Sequence, residues 1–125
     1  MKESIVKDKS YAFALRVITL ARSLRERKEY ELASQVLRAG TSIGANVEEA
    51  LAGISRPDFI AKMGIASKEA RETRYWLRLL HDSKIVPSDR IDTLIQEAEE
   101  ICRILTAIVK TSRHNSKLKT ENSKL

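Results

Sequence analysis

Apolar residues recur every three or four positions along most of this chain, which is the spacing of amphipathic helices. The pattern holds in four long segments separated by short polar stretches. Helices joined by short connections pack as antiparallel neighbours. The sequence therefore predicts an all-α fold, an antiparallel up-down-up-down four-helix bundle. The predicted helices span about residues 9–27, 29–54, 56–83 and 88–111.

The first predicted helix has more apolar surface than a small bundle requires. Two apolar sets follow the helical spacing on adjacent faces, and together they cover about half of the circumference. This surplus predicts a second packing partner, such as another subunit. The first set is Tyr11, Ala14, Leu15, Ile18 and Ala21, and the second set is Phe13, Val17, Leu20 and Leu24.

The other three segments have apolar seams with alternating steps of three and four residues, which is typical of left-handed bundle packing. In the second segment, Gly40 and Gly44 lie among other small residues, where a neighbouring helix could approach closely. A glycine costs about 1 kcal/mol relative to alanine inside a helix, so we expect these glycines to serve packing. The seams include Val36, Ala39 and Ile43, then Met63, Ala66, Ala70 and Leu77, and finally Ile91, Leu94, Ala98, Ile101, Leu105 and Ile108.

The signals for helix boundaries differ in strength. Ser55 as N-cap, Pro57 in the first turn and Asp58 at the third position are a strong start signal for the third helix. Pro87 likewise separates the third helix from the fourth. By contrast, the sequence RERKEYE at residues 25–31 contains neither proline nor glycine. One continuous helix through it is possible on local grounds.

The end of the chain is polar and loses its periodicity after about residue 111. We expect residues 1–112 to form the bundle and residues 113–125 to form a basic, mobile tail. The N-terminal sequence MKESIVKDKS has no long apolar stretch, and no apolar run has the length that a membrane span requires. These features favour a cytoplasmic protein that does not contact a membrane.

The chain of 125 residues suits one domain, and it has 23 basic and 17 acidic side chains, a net charge of +6. A basic balance permits binding to RNA, DNA or an acidic surface. Residues 1–28 include eight basic and three acidic side chains, whereas residues 29–55 and 85–112 are net acidic. Opposite charges on neighbouring helices also help them to pair, so part of this charge has a structural explanation.

No catalytic machinery is recognisable in the sequence. The GTSIG segment lacks the lysine of a phosphate-binding loop. The single cysteine, Cys102, excludes an intrachain disulfide, and the two isolated histidines argue against zinc. Glu69 and Glu72 have the spacing of carboxylate ligands, but the histidine of the di-iron motif is missing. We therefore expect no enzymatic activity, no cofactor and no metal site.

Polar residues nevertheless lie on the apolar-flanked seams. Glu69 and Glu72 are expected to be partly buried, so each carboxylate requires a cation or a hydrogen-bond donor. The candidate partners are Arg38 and the basic residues of the first helix. Asn46, on the seam of the second helix, could fix the register of packing, as a polar residue does in coiled coils.

Basic residues form rows on the first and third predicted helices. Arg71, Arg74 and Arg78 are spaced i, i+3, i+7, and Lys68 extends this row. A solvated face and a phosphate-binding surface both explain such rows. Repeated around an oligomer, the rows would create a considerable positive field, and binding would depend strongly on salt. The candidate nucleic-acid-binding residues are Arg16, Arg22, Arg25, Arg27, Lys28, Arg71, Arg74 and Arg78.

The segments LRAGTSIGANVEEA and FIAKMGIASKEARETRYWLRLL resemble the four-helix-bundle family encoded in intervening sequences of bacterial 23S ribosomal RNA genes. The resemblance covers about residues 10–112 and implies an up-down bundle with the first helix break near Lys28. Ser42 falls on a recurrent position of the family, together with a set of residues that we interpret as a structural polar seam. These seam residues are Arg38, Asn46, Glu49, Glu69 and Glu72.

The resemblance also implies an assembly. Similar proteins, including the accessory protein of diversity-generating retroelements, form homopentameric rings with positive surfaces, and that accessory protein binds a reverse transcriptase and nucleic acid. The hypothesis is therefore a non-enzymatic, oligomeric nucleic-acid-binding or scaffold protein that contacts structured RNA through basic surfaces. The alternative is a protein–protein interaction module with no direct nucleic-acid role.

Overall fold

Four α-helices contain almost all of residues 1–123, which are the residues that the computed structural model describes. Helix α1 spans Lys2–Glu26, α2 spans Tyr30–Leu51, α3 spans Arg56–Asp82 and α4 spans Ser88–Ser123. Each helix packs against the next one along the chain, and α4 returns to α1. Among the described residues α1 does not contact α3, so these two helices lie diagonally across the bundle. The predicted all-α up-down bundle is confirmed.

The core is built from the seams that the apolar spacing defines. On α1, Phe13, Val17 and Leu24 are fully buried, whereas Tyr11 and Leu15 of the other apolar set are 60% and 52% exposed. The seam residues of α2, α3 and α4 are buried against them. One face of α1 therefore stabilises the bundle, and Tyr11 and Leu15 of its second apolar set meet solvent in the isolated chain, whereas Ala21 of that set is buried.

Helices α1 and α2 approach each other closely where Val17 meets Gly40. A Cβ atom added at Gly40 would lie 2.7 Å and 2.9 Å from the two methyl carbons of Val17. At Gly44 the same atom would lie 3.3 Å from Ser10 Oγ. Gly64 on α3 has no atom within 4 Å of that position. The α2 glycines therefore permit close helix packing, and Gly64 has no such role.

The break between α1 and α2 is formed by a lysine in the left-handed conformation. Lys28 has φ of 64°, and its N–H donates to the carbonyl of Arg25 at 2.9 Å. The N–H of Glu29 donates to the carbonyl of Leu24 at 2.9 Å. These two bonds form the Schellman motif that satisfies the last carbonyls of a helix. Lys84, with φ of 60°, adopts the same left-handed conformation after α3, and its N–H donates to the carbonyl of His81 at 3.1 Å. A continuous helix through residues 25–31 is thus excluded.

The prediction that the fourth helix ends near residue 111 is wrong, because α4 continues to Ser123. In that stretch α4 runs beside the first turns of α3, and Ser116 and Lys117 line one concavity with Ile60. No proline or glycine follows Pro87 to interrupt the helix. The expected tail is therefore helical as far as Ser123, and its last part, residues 124–125, lies outside the described residues.

The other boundaries shift by smaller amounts. Helix α1 begins at Lys2 rather than near residue 9, because Val6 is fully buried and extends the core by one turn. Helix α2 ends at Leu51 rather than near residue 54. The start of α3 has Ser55 as its N-cap, with the hydroxyl accepting a bond of 3.2 Å from the N–H of Asp58.

Alanine substitutions at Gly40 and Gly64 should have opposite effects on stability. Gly40→Ala is expected to lower the free energy of unfolding by about 1–3 kcal/mol, because the new methyl group overlaps the buried Val17. Gly64→Ala should raise it by up to about 1 kcal/mol, since only helix propensity changes there. Urea denaturation of both variants and the unmodified protein measures the difference. Equal effects at the two positions would contradict the packing role of Gly40.

Candidate functional site

A polar cluster joins α2 to α3 on one side of the bundle. Arg38 Nη1 lies 3.3 Å from Glu69 Oε2, and its Nη2 pairs with Glu72. Ser42 Oγ donates to Glu69 Oε2 at 2.9 Å, and Trp76 Nε1 donates to Glu72 Oε2 at 3.0 Å. Both carboxylates thus have donors from facing side chains. The cations of α1 take no part, because α1 lies diagonally opposite α3.

The remaining predicted seam residues lie beside this cluster or beyond it. Asn46 Nδ2 donates to the carbonyl of Ser42 on its own helix at 2.9 Å, so the amide does not bridge two helices. Glu49 is exposed, and its Oε2 lies 3.7 Å from Lys62 Nζ. The structure therefore brings Arg38 together with the two α3 carboxylates and leaves Glu49 outside.

The basic residues of α1 are partly engaged with other groups of the chain. Arg16 forms a bidentate pair with Glu97 of α4, and its Nε lies 3.0 Å from Glu97 Oε1. Arg27 Nη1 donates to the carbonyl of Ile85 at 2.7 Å. The last turns of α1 and the turn after it hold exposed cations at Arg22, Arg25 and Lys28.

A second ion pair joins α1 to α4 about one turn further along α4 than Glu97. Lys9 hydrogen-bonds to Glu100, and this contact lowers the pKa of the Glu100 carboxyl below its ordinary value. Together with the pair of Arg16 and Glu97, it covers a shallow cavity of about 310 Å³ between the two helices. The charge of these α1 cations is balanced within the bundle.

The three arginines of the α3 row lie in three different environments. Arg74 Nε lies 3.0 Å from Glu99 Oε2 of α4, so its charge is neutralised. Arg78 is exposed one turn nearer the end of the helix. Arg71 lines a groove between α3 and α4. The row that the sequence predicts therefore contributes Arg71 to a concave surface.

The groove between α3 and α4 has a volume of about 540 Å³ and is lined by four cations. Its lining includes no carboxylate, and its apolar part includes Gly64, Ile65 and Val109. We call this surface the basic groove. A concave surface with cations on both walls can bind phosphate groups by charge and by hydrogen bonds from guanidinium and ammonium groups. The cations of the basic groove are Lys68, Arg71, Lys110 and Arg113.

Two of these cations were missed by the sequence analysis. Lys110 and Arg113 lie beside the point where the fourth helix was expected to end. A signal was present, since Lys110, Arg113 and Lys117 repeat the i, i+3, i+7 spacing of the arginine row on α3. That spacing places the three side chains on one face only if the helix continues.

Within residues 1–123, no three His, Cys, Asp or Glu side chains lie together in a group that could hold a metal ion. No helix in that range is long and apolar enough to cross a membrane.

The fold and the basic groove define a small helical-bundle protein with a concave surface lined by cations. A model of the family described as 23S rRNA-intervening sequence protein matches residues 2–107, so this chain belongs to that family. It is similar to a protein of unknown function from the S23 ribosomal protein family of Bacteroides thetaiotaomicron, whose crystal structure is known at 1.70 Å resolution. The two share 45% sequence identity and a TM-score of 0.84, over 88% of this chain and 99% of that one. None of the curated proteins matches this chain.

The polar cluster should contribute modestly to stability, because Arg38 is about half exposed. A double-mutant cycle of Arg38→Ala and Glu72→Gln is expected to give a coupling energy of about 0.5–1 kcal/mol that decreases in high salt. Urea denaturation followed by the fluorescence of Trp76, the single tryptophan of the chain, measures it. The matched control is Lys62→Ala with Glu49→Gln, a longer ion pair, for which we expect a coupling close to zero. A coupling no larger than this control would argue against the cluster.

Proposed function

We propose that this chain is a non-enzymatic nucleic-acid-binding protein that contacts the phosphates of RNA through the basic groove. The observation that carries the proposal is the groove itself, in which four cations line one concavity without a carboxylate. Elsewhere, carboxylates of α4 neutralise Arg16 and Arg74. The basic groove is therefore the part of the surface where an external polyanion gains most by binding.

The family and the net charge support RNA as the ligand. The family takes its name from intervening sequences of 23S rRNA. The net charge of +6 raises the local concentration of any polyanion near the protein. Contacts to phosphates position a nucleic acid without reading its sequence. We therefore propose weak sequence specificity, with structured RNA as the natural class of ligand.

Removing charge from the basic groove should weaken RNA binding more than the same loss on α1. We expect the triple variant Arg71→Gln, Lys110→Gln, Arg113→Gln to lose about tenfold or more in affinity for an RNA stem-loop, with a salt slope shallower by about 2. Filter binding or fluorescence anisotropy at several low salt concentrations measures both quantities.

The matched control removes three exposed cations from α1 and the turn after it. The variant Arg22→Gln, Arg25→Gln, Lys28→Gln has the same net charge as the groove variant, so we expect less than about a threefold loss of affinity. An equal loss in the two variants would place the phosphate contacts outside the groove. No RNA retention by the unmodified protein at low salt would refute the proposed function.

The exposed apolar face of α1 supports an assembly of several chains. Tyr11 and Leu15 are more than half exposed, and Ile65, Tyr75 and Leu79 on α3 are also exposed. We propose a homo-oligomer, a pentamer as the family resemblance implies, in which each subunit presents its basic groove.

The same apolar face favours a second candidate function, a module that binds a partner protein, as the resemblance to retroelement accessory proteins suggests. A pull-down from the native host, with and without nuclease, separates a protein partner from RNA.

A charge placed on the apolar face of α1 should disrupt this assembly. We expect light scattering on the unmodified protein to give a mass several-fold above the 14.2 kDa of one chain. Leu15→Glu should reduce the mass towards that of one chain, because it buries a charge in the interface. Thr93→Glu, at an exposed polar position on α4, is the control and should leave the mass unchanged. A monomeric unmodified protein would contradict the proposed assembly.

A further inference from the structure

The cations of the α3–α4 face follow one another along the groove. Ser67 Oγ lies 3.5 Å from Thr106 Oγ1, and this contact fixes the register of the antiparallel helices. Lys68 therefore lies beside the turn of α4 that holds Thr106, and Arg71 lies about one turn nearer the start of α4. Past Arg113, the row continues to Lys117 in the adjoining concavity. We call this row the cation ladder. In order along the axis of α4, its members are Arg71, Lys68, Lys110, Arg113 and Lys117.

The spacing of the cation ladder suits an extended polynucleotide strand. Successive cations differ by three to five residues along α4, which is about 4.5–7.5 Å of helix rise. The whole ladder is about 22 Å long. A strand within a duplex advances only about 3.4 Å per phosphate and winds around the duplex axis, so it leaves a straight row after a few phosphates. A single strand can extend and stay in register with the ladder.

The groove has the width of one backbone. Packed helices lie about 8–10 Å apart, so the depression between α3 and α4 is narrower than a duplex. At its floor, the space above Gly64 is open, with no atom within 4 Å of a potential Cβ. No aromatic side chain lines the basic groove, so bases have no stacking platform of the kind that many single-strand-binding proteins use. The basic groove therefore contacts the sugar–phosphate backbone of the ligand and does not stack on its bases.

Carboxylates mark both ends of the cation ladder. At one end, Glu99 pairs with Arg74, which lies one turn beyond Arg71. At the other end, Glu121 lines the same concavity as Lys117. Beyond Arg71 the next cation of α3 is neutralised by Glu99, and beyond Lys117 stands the carboxylate of Glu121, so the favourable track is finite. Its five cations match about four or five phosphates.

We propose that the ligand of this face is a single-stranded stretch of polynucleotide, held through four or five consecutive phosphates without regard to sequence. The proposal rests on the proposed function and specifies the class of nucleic acid. In a structured RNA, the protein then binds loops, junctions or overhangs, and the paired stems are not its ligands.

Oligouridylates of increasing length test this proposal. Fluorescence anisotropy with labelled strands of about two to twelve nucleotides should show affinity that rises steeply up to about five nucleotides and slowly afterwards. The slope of log affinity against log salt should reach about −3, the value for four or five phosphates of a single strand. A blunt RNA duplex of about twelve base pairs should bind about tenfold more weakly at the same salt, because it engages fewer ladder cations.

The outcomes separate this proposal from the proposed function. If the duplex binds as tightly as the single strand, the single-strand proposal is wrong and the RNA-binding function stands. A slope that keeps growing with strand length would likewise overturn the finite track. If neither strand nor duplex binds at low salt, the proposed function itself is wrong.

A steric variant tests the location of the strand without changing any charge. Gly64→Leu places a side chain in the open space of the basic groove and should reduce oligouridylate affinity about tenfold, because the backbone can no longer approach both walls. Gln96→Leu, at an exposed position of α4 outside the basic groove, is the matched control and should bind within about threefold of the unmodified protein. Circular dichroism verifies that both variants keep their helices. Unchanged binding by a folded Gly64→Leu variant would place the strand elsewhere and overturn the proposal.

Discussion

The methyl groups of Val17 lie against the backbone of Gly40, and this contact sets the distance between α1 and α2. Because the two helices approach so closely, one apolar face of α1 is buried with Phe13 and Leu24 at its centre. Helix α3 then packs on the far side of α2 and does not reach α1. The α1–α4 seam is closed partly by ion pairs, among them that of Lys9 with Glu100. Apolar packing thus dominates one side of α1 and charge pairing the other.

The two halves of α4 present opposite charges to the helices beside them. Its first half contributes Glu97 and Glu99, which face cations of α1 and α3 and neutralise them. Its second half contributes Lys110 and Arg113, which face the cationic part of α3 across the basic groove. The groove between α3 and α4 therefore has four cations and no carboxylate in its lining. A field of one sign within a concave surface attracts polyanions more strongly than the same charge spread over a convex surface.

The polar cluster and the basic groove differ in how far the sequence revealed them. Glu69 and Glu72 on an apolar-flanked seam required a cation, and Arg38 was one of two candidate sources. The choice between Arg38 and α1 depended on which helices are neighbours, which only the packing decides. Lys110 and Arg113 were missed for a different reason. The polar composition after residue 111 predicted a tail, whereas α4 continues to Ser123 with no proline or glycine to interrupt it.

Local patterns in the sequence are enough to predict four helices, the faces that form the core and the start of α3 at Ser55, because apolar spacing and capping depend on residues within a turn or two of each other. Tertiary structure decided the rest. It selected the break at Lys28, where no proline or glycine marks a turn and a lysine adopts a positive φ. It also decided which cations remain available to a ligand, since a pair such as Arg16 and Glu97 joins residues 81 positions apart. No local pattern contains that information, because it depends on how the folded helices pack.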